Sequence, residues 1–223
     1  MWQALYEELG SKGLVVVSVA LESRGAEAAR PWIEAAKASY PCLIDTNHLV
    51  AELYGMVNVP IAVWIDEEGR IVRPAEPAGT TDSFREMDRT NYSIPATALA
   101  DLRQARGNYL AALRDWADHG ASSRFALAPD EVRRRMSPRD DSRERATACF
   151  RMGEYLHALG IDEAARAYFA EATRLHPENW AFRRQAWNLE DPMKSGGKEF
   201  WAAVDALGSE RYYASADMAG AES

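Results

Sequence analysis

Cysteine is nearly absent from this sequence: Cys42 and Cys149 are the only two in 223 residues. They form no C-x-x-C pair, which excludes a vicinal dithiol and a zinc knuckle. Both sit in apolar patterns suited to buried free thiols, although count alone also allows a bridge between them. Histidine is sparse as well. His48, His119, His157 and His176 are scattered without metal-ligand spacing, so they read as solvated or packed side chains, and neither a metal nor another cofactor is expected. No apolar run approaches the roughly 20 residues needed to span a bilayer. Glu7 and Glu8 follow Met1 with no basic stretch and no apolar core behind it, unlike a signal peptide. Positive charge is in deficit: 26 Lys and Arg stand against 34 Asp and Glu, a net charge of −8. That balance argues against a nucleic-acid-binding surface, for which a basic patch is expected. The expectation is a cytoplasmic protein with neither nucleic acid nor membrane as partner.

What is present is patterned. Trp2, Leu5, Tyr6 and Leu9 fall at i, i+3, i+4 and i+7, which predicts an amphipathic helix closed by Gly10. "GLVVVSVA" follows, and its β-branched, nearly continuous apolar run predicts a strand buried on both faces, as in a parallel sheet. "RPWIEAAKASY" places Pro31 where a first helical turn tolerates it, with Trp32, Ile33, Ala36 and Tyr40 on one side. "CLID" is a short strand, after which Asp45 or Thr46 can cap a helix carrying Leu49, Val50, Leu53 and Tyr54 and ending at Gly55. "IAVWID" and "RIV", joined by Glu67-Glu68-Gly69, predict a β-hairpin. Helix–strand alternation closing in a hairpin defines a mixed α/β sheet. Pro60 directly precedes the first hairpin strand, where its missing N–H costs no ladder bond.

On these residues the resemblance becomes specific. "SKGLVVVSVALES" and "YPCLIDTNHLVAELYGMVNVPIAVWIDEEGRIV" resemble the redoxin branch of the thioredoxin fold, the alkyl hydroperoxide reductase/thiol-specific antioxidant and thiol-disulfide oxidoreductase group, over residues 1–75. The resemblance implies a cis proline at Pro60 facing the active-site sulfur. It also implies that the backbone of Val59 pairs with an extended substrate, so Val59 and Pro60 are the expected substrate-binding residues.

The same resemblance exposes a gap. Such a protein carries its reactive residue at the start of its first helix, where the helix N-terminus lowers a thiol's pKa. Here the matching helix begins at about Trp2, which puts the preceding central strand and the active-site motif upstream of Met1. No catalytic residue is therefore assigned within the chain, and the chain as written is expected to be inactive. Three accounts stand beside one another: an incomplete chain whose missing nucleophile is cysteine or selenocysteine, a pseudoenzyme that repairs the gap, and a misaligned resemblance. Cys42 reads as a structural thiol, and Asp45-Thr46-Asn47 as a helix cap.

Beyond residue 75 the pattern changes. "PAEPAGTTDS" reads as a turn-rich connector, and "FREMDRTNYSIP" has no clear period. Leu99, Leu102, Tyr109, Leu110, Leu113 and Trp116 predict one long helix over 96–119, stopped by Gly120. A short helix after Pro129 and a charged link precede residues 146–179, whose Met152-Gly153, Leu156, Ala165, Phe169, Ala172 and Pro177 resemble the tetratricopeptide repeat. Small residues there let two helices approach, Phe169 fills the groove, and Gly160 makes the turn. "NWAFRRQAWNLEDP" and "KEFWAAVDALG" supply further helices, and the aromatic tail with Tyr212 and Tyr213 is expected to pack back on the body.

The expected organisation is an α/β thioredoxin-like domain lacking its first strand, 1–95, followed by an all-α tetratricopeptide-like domain, 96–223. The implied activity is that of an oxidoreductase on thiols, disulfides or peroxides, with protein or small-molecule disulfide or peroxide substrates. The rival reading is a non-catalytic scaffold whose helical region binds a protein partner, and a homo-oligomer is compatible with either.

Overall fold

A computed structural model describes residues 1–136, 140–216 and 218. The charged link expected around 137–139 lies outside the described residues. In chain order the elements are α1 (Trp2–Leu9), β1 (Ser18–Leu21), α2 (Ala26–Ala36), β2 (Cys42–Asp45), α3 (Leu49–Tyr54), β3 (Ile61–Ile65), β4 (Ile71–Pro77), α4 (Ala96–His119), α5 (Pro129–Arg135), α6 (Asp141–Ala158), α7 (Asp162–Leu175), α8 (Trp180–Glu190) and α9 (Lys198–Ala206). The strands make two separate two-stranded sheets, β1 parallel to β2 and β3 antiparallel to β4. Among the described residues beyond Pro77 there is no strand, so the α/β character is confined to the first third of the chain.

Packing divides the chain into two compact units that interleave along the sequence. The first comprises Met1–Val16, Pro60–Met136 and Ser209–Ser223, and the second Val17–Val59 and Ser137–Gly208.

In the first unit, Leu5 and Leu9 of α1 are one helical turn apart and bury against Trp64 of β3, Tyr109, Ala112 and Leu113 of α4, and Phe125. Burying an indole requires a partner for its N–H. Trp64 Nε1 donates to the Tyr109 hydroxyl at 2.8 Å, and the Trp64 ring stacks on Trp116 with centroids 5.0 Å apart. Asp66 and Gly69, the latter at φ 77°, close the β3–β4 turn, a backbone that favours glycine. The tail does pack back. Asp82 accepts backbone N–H bonds from Tyr212 and Tyr213 at 2.9 and 2.8 Å, and the Phe84 ring meets Tyr212 edge-on at 4.9 Å.

The second unit joins β1, β2, α2 and α3 to the helices α6–α9. Its core is Ala146 and Phe150 of α6, Ala165, Phe169 and Ala172 of α7, and Phe182 and Ala186 of α8. The helical hairpin α6–α7 turns at Gly160, φ 75°, as its sequence requires. Gly153 explains the close approach of the two helices: a Cβ there would lie 2.5 Å from Phe169 Cε1, so any larger residue must push that ring out of the groove.

Several local expectations need correction. Gly10 closes α1 as expected, but with right-handed helical backbone; it also opens a 3-10 turn over Gly10–Lys12, and the left-handed residue that ends that turn is Gly13, φ 91°. The strand in "GLVVVSVA" is only Ser18–Leu21, and Val15 and Val17 are 66% and 50% exposed instead of buried on two faces. Val15 and Val17 lie in the irregular segment before β1, outside the paired strand. α2 begins at Ala26, capped by Gly25 at φ 86°, so Pro31 lies inside the helix and Trp32 is 79% exposed. Residues 74–77, read as the start of a connector, continue β4.

Candidate functional site

The expected substrate-side residues sit at the entry to β3. Asn58 is buried and its Oδ1 accepts the N–H of Val59 at 2.9 Å, while the Val57 carbonyl accepts the N–H of Ala181 at 3.0 Å. Val59 is 40% exposed. Pro60 is exposed, and its carbonyl accepts the Ala78 N–H at 3.1 Å. The proline thus extends the hairpin through its acceptor at the position where its missing donor is not needed. Val59 ends a segment of the second unit and Pro60 opens one of the first.

Upstream of this segment, Asp45 at the end of β2 is the cap of α3. Its two carboxylate oxygens accept from the N–H groups of Leu49, Val50 and Ala51 at 2.8, 2.7 and 3.1 Å, satisfying three of the donors that a helix N-terminus leaves open. Both cysteines are free thiols. Cys42 Sγ donates to the Tyr40 carbonyl at 3.5 Å, and Cys149 packs at the border of the Phe150 core. Among the described residues no group of three His, Cys, Asp or Glu side chains could hold a metal ion. Nor is any described helix long and apolar enough to cross a membrane.

The second unit contains a polar cluster that no sequence motif signals. Ser23, in the connection after β1, places Oγ 2.5 Å from Glu154 Oε1 of α6 and 3.2 Å from Nε2 of His48, which precedes α3. His48 is 2% exposed, with its ring edge-on to Phe150 at 5.0 Å. Burial drives the His48 pKa down to about 4 against the smaller pull of Asp45 and Glu22. Burial also pushes Glu154 up to about 7, and the Ser23 hydrogen bond and the Arg151 charge only partly oppose it.

These shifts have opposite consequences for stability. Glu154 holds its proton more tightly in the folded chain, so its contribution is present below about 4.5 and lost as pH rises to about 7. His48 holds its proton less tightly when folded, so its contribution is present above about 6.5 and lost as pH falls to about 4. Glu154→Gln removes the first effect alone. Its stability relative to the parent chain is expected to improve with rising pH between those limits, by up to about 1.4 kcal/mol per pH unit. Urea unfolding of both proteins at pH 4.5, 5.5, 6.5 and 7.5 measures this; a constant difference across the series would refute it.

Helix–strand alternation over the N-terminal third closes in a hairpin that Val59-Pro60 directly precede. Residues 1–73 match the model of the AhpC/TSA family. No curated protein and no solved structure matches the chain.

Proposed function

We propose that this chain is the substrate-side portion of a thioredoxin-like redox protein, a thiol-disulfide oxidoreductase or peroxide reductase. Its attacking cysteine or selenocysteine is supplied by sequence upstream of Met1, Val59 and Pro60 shape the substrate side, and the chain alone is inactive.

The observation that carries this reading is the open edge of β1. In its parallel pairing with β2, Ser18 N–H bonds to the Pro41 carbonyl, so Ser18 and Ala20 face β2 while Val19 and Leu21 turn their peptide groups the other way. On that outer edge the side-chain amide of Gln185 donates to the Leu21 carbonyl at 2.8 Å and accepts from the Ser23 N–H at 3.3 Å. A primary amide thus occupies one position of a ladder. The Val19 peptide groups on the same edge have no partner among the described residues. Such a row of donors and acceptors is a template for another strand, and a redoxin-like segment would place the strand preceding α1 there. The AhpC/TSA match over residues 1–73 supports the same reading.

The test is an insulin- and peroxide-reduction assay on this chain beside the protein isolated from its native host, whose N-terminal sequence is determined in parallel. Turnover is expected only from a host protein carrying a strand and a cysteine or selenocysteine before Met1. Turnover by this chain that survives Cys42→Ser with Cys149→Ser would overturn the proposal.

A second reading keeps the tetratricopeptide-like region, 96–223, as a protein-binding scaffold. It draws on Met152 and Tyr155 of α6 and on Leu159, which caps that helix, apolar residues that are 42%, 62% and 56% exposed. Saturable, thiol-independent binding of a defined protein partner, abolished by Tyr155→Glu, would favour it.

A further inference from the structure

We propose that Glu154, Ser23 and His48 form a proton wire in which the charge state of Glu154 decides which ring nitrogen of buried His48 carries the hydrogen.

The geometry leaves few alternatives. Ser23 is the hydrogen-bond partner of Glu154 among the described residues, and its single hydroxyl proton must serve two neighbours, Glu154 Oε1 at 2.5 Å and His48 Nε2 at 3.2 Å. The other ring nitrogen, Nδ1, is fully buried without a hydrogen-bond partner, and the imidazole centre lies 5.0 and 6.3 Å from the centres of the Phe150 and Phe182 rings. Only the Ser23 side can therefore select the tautomer.

When Glu154 is a carboxylate, it accepts the Ser23 O–H, and Ser23 Oγ in turn accepts a hydrogen from His48 Nε2. Nδ1 is then a bare lone pair. When Glu154 is protonated, its O–H is the strongest neutral donor of the three and the imidazole lone pair the strongest acceptor, so the chain reverses. Glu154 donates to Ser23 Oγ, Ser23 donates to His48 Nε2, and the ring hydrogen resides on Nδ1. The balance is one proton. On deprotonation Glu154 gives its carboxyl proton up to water, Ser23 keeps one hydrogen and turns it from Nε2 to the Glu154 carboxylate, and the ring hydrogen moves from Nδ1 to Nε2 by exchange with water when the buried ring transiently opens. The imidazole stays neutral in both states.

The surrounding charges are otherwise engaged. Asp45 caps α3, Glu22 pairs with Arg24, and Arg151, whose charge acts on Glu154, pairs with Glu52. The wire joins the connection after β1 and the start of α3 to α6, linking the redoxin-like segment to the helical hairpin within one compact unit. Burial places the Glu154 transition at about 7, so the wire would reverse near neutrality.

The experiment uses the full chain with 15N-labelled histidine. Two-bond 1H–15N correlation spectra between pH 5.5 and 8.5 distinguish the tautomers, with His48 assigned through its loss in His48→Gln. The expected result is a neutral His48 protonated on Nδ1 at the acid end and on Nε2 at the alkaline end, with a midpoint near 7. The pH dependence should disappear in Glu154→Gln and in Ser23→Ala, and persist in Ser23→Thr, which keeps the hydroxyl. One unchanging tautomer in the parent chain, or a switch that persists in Glu154→Gln, would overturn the proposal. Circular dichroism of each variant separates loss of the wire from loss of the fold.

Discussion

Arg73→Ala is expected to destabilise the first compact unit by about 3–5 kcal/mol, because it breaks a buried ion pair from one side only. Arg73 is 1% exposed on β4. Its Nε and Nη2 donate to the two oxygens of Glu76 at 2.6 and 2.9 Å, Nη1 donates to the Phe125 carbonyl at 3.0 Å, and the guanidinium lies 5.4 Å from the centre of the Trp64 ring. Removing the cation leaves a carboxylate whose side chain is 11% exposed, and a carbonyl, both without their charged donor. A pair of this kind need not add net stability, since desolvation consumes much of its attraction. Arg73→Met combined with Glu76→Leu should therefore be far less harmful than Arg73→Ala. Urea unfolding followed by tryptophan fluorescence measures both. A loss below about 1 kcal/mol, typical of exposed ion pairs, would show that the site is more hydrated than its geometry indicates.

Phe150→Ala is expected to cost the second unit a similar amount, about 3–5 kcal/mol, through lost transfer energy and an unfilled cavity. Phe150 is 1% exposed and stacks on Phe182 with centroids 4.3 Å apart and planes 9° from parallel; Phe169 lies at 5.6 Å. The buried side chains of this core are phenylalanine or alanine, which have little freedom to close the space. The same ring shields His48, so admitting water should also bring the His48 pKa back up toward the usual histidine value. Thermal unfolding and a histidine NMR titration report the two effects. An unchanged His48 titration would mean that another group enforces its burial.

Much of the local structure was legible in the residues. The long apolar stripe between Ala96 and His119 with Gly120 behind it has the bounds of α4, because a helix this long is specified by its own period and its stop. Gly153 and Phe169 could be read as partners because a small residue and a ring at matched positions of two consecutive helices leave one way to pack. The N-terminal resemblance was legible for a different reason: capped helix, Gly55, Val59-Pro60 and the Asp66–Gly69 turn follow one another in a fixed order.

The errors have a common origin. Pro31 reads as a helix start because proline fits a first turn, yet Gly25 begins the helix a turn and a half earlier and the proline is carried inside. Val15 and Val17 read as buried because β-branched runs usually are, but only the end of that run pairs as a strand, and what covers the rest depends on segments distant in the chain. Ser23, His48 and Glu154 gave no signal at all, being separated by 25 and 106 positions. By itself the sequence determined the helices, the turns, the hairpin and the redoxin-like order of its first third, since these depend on residues near one another in the chain. Only the tertiary structure decided that Ser23, His48 and Glu154 share one buried hydrogen-bonded chain, because burial and proton affinity depend on groups the backbone must first bring together.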